Sequence, residues 1–184
     1  MNFSLLPTAY GGFNLMLAPH AGMSIVTEVA ARLALAAPLR VLDCGNRFNV
    51  YPLAKTMRRL TIEIDPAMEH VLLSRAFTCY QVLVMLKREV SHNPVLVVDL
   101  LATFLDEDVS LVESQRLLSL CVAELQRLSR LAPVLVTVKP LLALSAERAP
   151  LLETIVQSAG RFYRFEESSV SANRQGALWS TDQF

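Results

Sequence analysis

The run Pro94-Val95-Leu96-Val97-Val98-Asp99 limits the possible folds of this chain more than any other segment. Five apolar residues that end in one carboxylate are typical of a strand buried on both faces, with the acid at the ligand crevice beyond its carboxyl end. The segments Leu39–Asp43 and Pro133–Val138 have the same character. Because strands buried on both faces occur mainly in parallel sheets, these runs predict a parallel sheet.

Helical patterns alternate with these strands and complete an α/β fold. The spacing of apolar residues, prolines and terminal charges predicts helices at Ser24–Ala36, from about Pro52 to Arg59, Ser74–Val90, Leu111–Leu131 and Ala149–Ser158. In Ser74–Val90, the residues Phe77, Tyr80 and Val84 are spaced as one apolar stripe. We therefore expect a single domain over residues 1–184, with a mainly parallel sheet covered by helices on both faces.

Three weaker strands are also predicted, at Phe13–Leu17, Leu60–Ile64 and Arg161–Glu166. The last of these is expected to pair with Gly176–Ser180 as an antiparallel hairpin at the C-terminal edge of the sheet.

The charge balance and the cysteines argue against several classes of function. Seventeen basic and seventeen acidic residues leave a net charge of zero, which is not the basic footprint of an autonomous DNA-binding protein. Cys44, Cys79 and Cys121 lie in apolar runs and show no metal-ligand spacing, so we expect reduced thiols in a cytoplasmic protein and no metal site. The stretch before Glu28 has no lysine or arginine and contains several polar residues and prolines, so it predicts neither a signal peptide nor a membrane span.

The segment Leu17–Ser24 follows the first predicted strand, where a glycine-rich phosphate loop ending in Gly-Lys-Ser or Gly-Lys-Thr would lie. Gly22 and Ser24 match that pattern, but Met23 stands at the position of the lysine. A thioether cannot neutralise phosphate charge, so the loop has lost much of its phosphate chemistry.

The order of these segments resembles the ATPase core of the RecA/RadA recombinase family, from about Phe13 to the C-terminus. Several segments carry the resemblance. The run Val41-Leu42-Asp43 with Asn46-Arg47-Phe48 is similar to the family's second strand, Ser74-Arg75-Ala76-Phe77 to its Arg-Ala-Phe/Tyr element, and Leu96–Asp99 to its Walker B strand; Gln115–Leu128 and Val134–Thr137 resemble the next helix and strand.

The resemblance implies a vestigial nucleotide site formed by Gly22, Met23, Ser24 and Asp99, where Ser24 and Asp99 could hold Mg²⁺ and ATP. It also places Gly45 or Asn46 where the family has a glutamate that activates water, and neither side chain is a general base at neutral pH. We therefore expect no catalytic residues and no ATP hydrolysis. Asp43 and Arg47 are expected to lie in the crevice, where they could pair with each other or Arg47 could contact phosphate.

These observations predict a noncatalytic RecA-like protein that acts through protein contacts in DNA repair or recombination. The expected partner is a second copy or another RecA-like protein. The apolar run Leu141–Leu144 either packs in the core or forms an exposed contact surface for this partner. Direct DNA binding is expected to be weak, because the loop Asp106–Asp108 is acidic.

Two other functions stay open. One is a nucleotide-binding switch with little or no hydrolysis, which would use Gly22, Ser24 and Asp99. The other is a methyltransferase that uses S-adenosylmethionine, with Val41–Gly45 and Asp65 as cofactor elements. Arg47 and Asn49 argue against the methyltransferase because they stand where small residues should admit the cofactor.

Overall fold

The computed structural model describes residues 12–90, 92–141 and 147–166. Its strands are β1 (Asn14–Leu17), β2 (Leu39–Asp43), β3 (Val71–Arg75), β4 (Val95–Val98), β5 (Val134–Val138) and β6 (Arg161–Arg164). Its α-helices are α1 (Met23–Ala36), α2 (Val50–Met57), α3 (Ile64–Glu69), α4 (Cys79–Arg88), α5 (Leu111–Ser129) and α6 (Ala149–Ser158), and 3₁₀ turns lie at Pro19–Gly22 and Leu100–Phe104.

The six strands form one parallel sheet in the order β3-β2-β4-β5-β1-β6. This arrangement confirms the predicted α/β class. Since all strands run in one direction, the residues at or just after their carboxyl ends share one edge of the sheet. Asp43, Asp99, Lys139 and Arg164 lie along this carboxyl edge.

Strand residues alternate between two apolar cores, one on each face of the sheet. Val95, Val97, Val134 and Val136 pack with α4, α5 and α6, whereas Leu96, Val98 and Leu135 pack with α1, α2 and α3. This alternation follows from the two-residue period of a strand, and it explains why both faces of β4 and β5 are apolar.

The connections leave β2 and β4 in opposite directions. From β2 the chain passes through α2 and α3 to β3 at the sheet edge, whereas from β4 it passes through α5 to β5. In open α/β sheets, ligand crevices form where connections diverge in this way. The topology therefore places the main crevice between the carboxyl ends of β2 and β4, next to Asp43 and Asp99.

The structure corrects the prediction between residues 60 and 90. Leu60–Ile64 is not a strand: a turn there leads into α3, and β3 is formed by Val71–Arg75, which pairs with β2 along its whole length. The predicted helix Ser74–Val90 therefore begins only at Cys79. Its N-terminal residue is capped by Thr78, whose side chain accepts a hydrogen bond from the Gln81 N–H.

The predicted apolar stripe of this helix is also wrong. Phe77, Tyr80 and Val84 are 68%, 49% and 45% exposed. The buried face of α4 is instead formed by Cys79, Val82, Leu83 and Leu86. The sequence contains two apolar sets at helical spacing, and the buried set is the one that begins at Cys79, the first residue of the helix.

The other strand and helix predictions agree with the structure to within about two residues at most ends. Arg161–Arg164 is the strand β6, which pairs in parallel with β1. The proposed hairpin partner Gly176–Ser180 and the segment 142–146 lie outside the described residues. In the described part of the chain, no helix is long and apolar enough to cross a membrane.

Candidate functional site

Asp43 organises the loop that follows β2. It is fully buried, and its carboxylate accepts hydrogen bonds from the backbone N–H groups of Arg47 and Phe48, both at 3.0 Å. The Arg75 guanidinium donates to Asp43 through Nε at 3.3 Å and to the Phe48 carbonyl at 2.9 Å. Because backbone and guanidinium donors occupy both carboxylate oxygens, Asp43 holds the loop in shape.

Asp99 lies beside this loop at the end of β4 and is also fully buried. Its backbone is left-handed, with φ of 52°, and its N–H donates to the Thr137 hydroxyl at 3.0 Å. One carboxylate oxygen, Oδ2, accepts a hydrogen bond from Arg47 Nε at 2.9 Å and lies 3.9 Å from Lys139 Nζ. The other, Oδ1, is buried without a hydrogen-bond partner in the described part of the chain.

The partners of Arg47 are thus divided between the two acids. Its backbone binds Asp43, and its guanidinium reaches across the crevice to Asp99. The side-chain ion pair of Arg47 is with Asp99 and not with Asp43. The acid of β4 is neutralised by cations from the loops after β2 and β5.

Gly45 allows this close approach. A Cβ atom at this position would lie 2.6 Å from Asp99 Oδ2 and 2.7 Å from its Cβ. Such distances are well inside van der Waals contact, so the loop can pack against Asp99 only because residue 45 has no side chain.

The segment at the phosphate-loop position forms a tight turn with a hydrogen bond inside it. His20, Ala21 and Gly22 have φ angles of 52°, 54° and 64°, and the Ala21 N–H donates to the Ala18 carbonyl. Behind Gly22, a Cβ atom would lie 2.6 Å from the end of the buried Met16 side chain. Met16 therefore fills the space under the loop.

The three predicted nucleotide residues of the loop differ in their exposure. Gly22 is buried, Met23 is half-buried against the core on the α1 side, and Ser24 is exposed. Asp99 interacts instead with Thr137, through its backbone N–H, and with the side chains of Arg47 and Lys139.

This geometry does not fit magnesium-bound ATP. A bound Mg²⁺ needs open carboxylate or hydroxyl oxygens and water around it, whereas Arg47 and Lys139 face one oxygen of Asp99 and the other oxygen is buried. Elsewhere in the described residues, His, Cys, Asp and Glu side chains form no cluster of three or more that could hold a metal ion.

Two cavities open at the carboxyl edge, and Lys139 lines both. The larger, about 580 Å³, lies beside the loop at Pro19 and His20 and is also lined by Arg47, Arg164 and Phe165. The smaller, about 390 Å³, lies at the crevice between β2 and β4, next to Gly45, Asn46 and Thr103. Gly22, Ser24 and Asp99 line neither cavity.

The three cysteines are buried in the core on the α4–α6 side and form no disulfide. Burial raises the pKa of the Cys44 thiol far above its usual range, with the nearby Asp43 carboxylate as a second cause. Burial likewise raises the pKa of Cys121 to about 12. Neither thiol forms a reactive thiolate at neutral pH.

Sequence reasoning missed Lys139 and Arg75 as partners of the two acids. Both residues lie at carboxyl ends of strands, but their distance from Asp99 and Asp43 depends on the order of strands in the sheet. The methyltransferase element at Asp65 is wrong, because Asp65 is an exposed residue in the first turn of α3 and does not follow a strand.

Comparison of the chain with models of known protein families gave no match, and comparison with curated proteins gave none either.

Proposed function

We propose that this chain is a noncatalytic RecA-like protein that acts through contacts with other proteins. The observation that carries the proposal is the ion pair between Arg47 and the buried Asp99. A cation from the protein itself neutralises the acid that, in the RecA-like reading, would hold a magnesium ion. The acid then stabilises the crevice and no longer serves phosphate transfer.

Two catalytic groups of the RecA-like family are also missing from this chain, and their absence supports the same proposal. Met23 provides no positive charge for phosphate, and Gly45 provides no general base for water. In phosphoryl transfer, catalysis comes almost entirely from positioning and from charge stabilisation. Removal of one such contact typically lowers the rate by about 10²–10³-fold, so the combined losses leave no useful hydrolysis.

The nucleotide-binding switch is the second candidate, and it requires ATP to bind without a phosphate-loop lysine. Met16 under the loop and the paired Asp99 weigh against it. The role in DNA repair or recombination and the cytoplasmic location stay predictions that rest on the RecA-like resemblance and the composition.

Exposed apolar side chains near one edge of the sheet support the proposal that the chain binds other proteins. Within the described residues β3 pairs only with β2, so one side of β3 is open. Leu72 on β3 is 43% exposed, and Phe77, just beyond it, is 68% exposed. Open strand edges and exposed apolar patches are common protein-binding surfaces. The candidate run Leu141–Leu144 lies mostly outside the described residues.

Sedimentation velocity across a wide concentration range tests the contact surface. We expect a self-associating protein, or a stable complex with a purified RecA-like ATPase from the same source. Leu72→Lys combined with Phe77→Ser should abolish the association, because a lysine on an edge strand opposes further pairing. Phe162→Ser is the matched control, since Phe162 is 42% exposed on β6, at the opposite edge of the sheet from β3. A chain that stays monomeric and binds no RecA-like protein would contradict the proposal.

Direct DNA binding is proposed to be weak. The net charge is zero, and the exposed loop Asp106–Asp108 repels phosphate. A salt titration with single-stranded DNA checks this, and affinity that persists at physiological salt would contradict it.

A further inference from the structure

The cavity of about 580 Å³ at the carboxyl edge is lined by several cationic and apolar side chains. It lies between the loop at Pro19 and the carboxyl ends of β5 and β6, and Gly22, Ser24 and Asp99 do not line it. We propose that this cavity binds a small organic phosphate monoester without a metal ion. The proposal does not depend on the noncatalytic function argued above.

Cations from three loops and strand ends converge on this cavity. Arg47 follows β2, Lys139 follows β5 and Arg164 ends β6. The opposing carboxylates are Glu166 in the lining and Asp99 beneath Arg47. His20 also lines the cavity, and an imidazole adds no negative charge. Three positive and two negative groups therefore leave at least one net positive charge at the mouth of a partly enclosed cavity, which favours an anion.

These cations have donors available for a ligand. Arg47 binds Asp99 through Nε, and its terminal nitrogens make no hydrogen bond to the described residues. Lys139 Nζ lies 3.9 Å from Asp99 Oδ2, which is beyond hydrogen-bond length. An arginine fork and a lysine point charge together match the oxygens of a phosphate group.

Arg164 can also change partner at little cost. Its ion pair with Glu166 is 3.5 Å long, and the two side chains are 66% and 80% exposed. Pairs of this kind contribute about 0–1 kcal/mol to stability, because water screens them. A phosphate dianion in the cavity can therefore replace the Glu166 carboxylate.

Apart from His20, the remaining walls are apolar and indicate that the ligand has an organic part. Leu17, Pro19, Pro140 and Phe165 line the cavity beside the cations. Small-molecule sites typically combine apolar walls with a few polar groups and enclose roughly 300–1,000 Å³. A free inorganic phosphate would leave these walls without a partner, whereas a phosphate ester would cover them.

Calorimetric titration of the full chain with phenyl phosphate, in EDTA and at constant ionic strength, tests the proposal. We expect phenyl phosphate to bind, inorganic phosphate to bind more weakly and phenol not to bind. Arg164→Gln should weaken phenyl phosphate binding about tenfold, the loss expected for one charge-assisted contact. Arg161→Gln is the matched control: Arg161 begins the same strand, is exposed and does not line the cavity.

Removal of a carboxylate, which should tighten binding, distinguishes this site from an effect of the overall charge of the protein. Glu166→Gln removes the competing carboxylate and should tighten binding, whereas Glu153→Gln on α6 should leave it unchanged. Failure of phenyl phosphate to bind, a need for Mg²⁺, equal binding of phenol, or equal effects of the two arginine changes would overturn the proposal.

Discussion

At the scale of single residues, Asp99 and Arg47 determine what the site can do. A buried carboxylate is costly unless a cation or several donors compensate it. Asp99 has one hydrogen-bonded cation, a second cation at 3.9 Å, and one oxygen that has no hydrogen-bond partner among the described residues. Its burial therefore depends strongly on Arg47.

We predict that Arg47→Met lowers the free energy of unfolding by about 1–3 kcal/mol, less than for a fully buried pair because Arg47 is 38% exposed. In an Asp99→Asn background the same change should cost less, since no charge is left uncompensated. Arg32→Met is the control: Arg32 is equally exposed, but its partner Glu28 is 32% exposed. Urea denaturation measures all four variants, and equal losses for Arg47→Met and Arg32→Met would refute the role of Asp99.

The cysteines allow a second prediction at this scale. Since burial raises the pKa of Cys121 to about 12 and that of Cys44 further, both thiols should react slowly with a thiol reagent at neutral pH. Their rates should follow unfolding and rise sharply in denaturant. Rapid modification of either thiol in the folded protein, measured by mass spectrometry, would show that the thiol is accessible.

Residue patterns predicted the acid at the end of β4 but not its partners. An apolar run that ends in Asp99 is sufficient to place a carboxylate at the crevice. Asp99 pairs with Arg47, whereas Arg75 pairs with Asp43. Which arginine reaches which acid depends on distances between strands that are far apart in sequence. Asn46, with a φ of 51°, and Gly45 form the loop that makes this choice possible.

At the scale of elements, strands with continuous apolar runs were predicted most accurately. The bounds of β2 and α6 agree with the sequence prediction, because an apolar run or a proline in the first turn defines each of them. β3 was missed because only part of its surface is buried: it lies at the sheet edge, and Leu72 and Arg75 are exposed.

The corrected face of α4 gives a prediction for this helix. Leu86 is fully buried in the core, so Leu86→Ala should cost about 2–5 kcal/mol of unfolding free energy. Val84→Ala, on the exposed face, should change it by less than about 0.5 kcal/mol. Thermal or urea unfolding distinguishes the two. A large loss for Val84→Ala would restore the face predicted from the sequence.

At the scale of the whole molecule, the sheet order determines where the site lies. The sequence predicted parallel strands and two helical layers, and the structure agrees. It did not predict the order β3-β2-β4-β5-β1-β6, because each apolar strand could pair with several others. Because β4 lies between β2 and β5, Arg47 and Lys139 reach the same carboxylate.

ATP hydrolysis in the presence of Mg²⁺ is the most direct measurement of the central claim that the crevice is noncatalytic. The account predicts that the wild-type chain shows no more turnover than Asp99→Asn. It also predicts that Met23→Lys alone adds none, because Arg47 still pairs with Asp99 and Gly45 still provides no general base. Wild-type turnover that Asp99→Asn abolishes, or robust hydrolysis by Met23→Lys, would contradict the account.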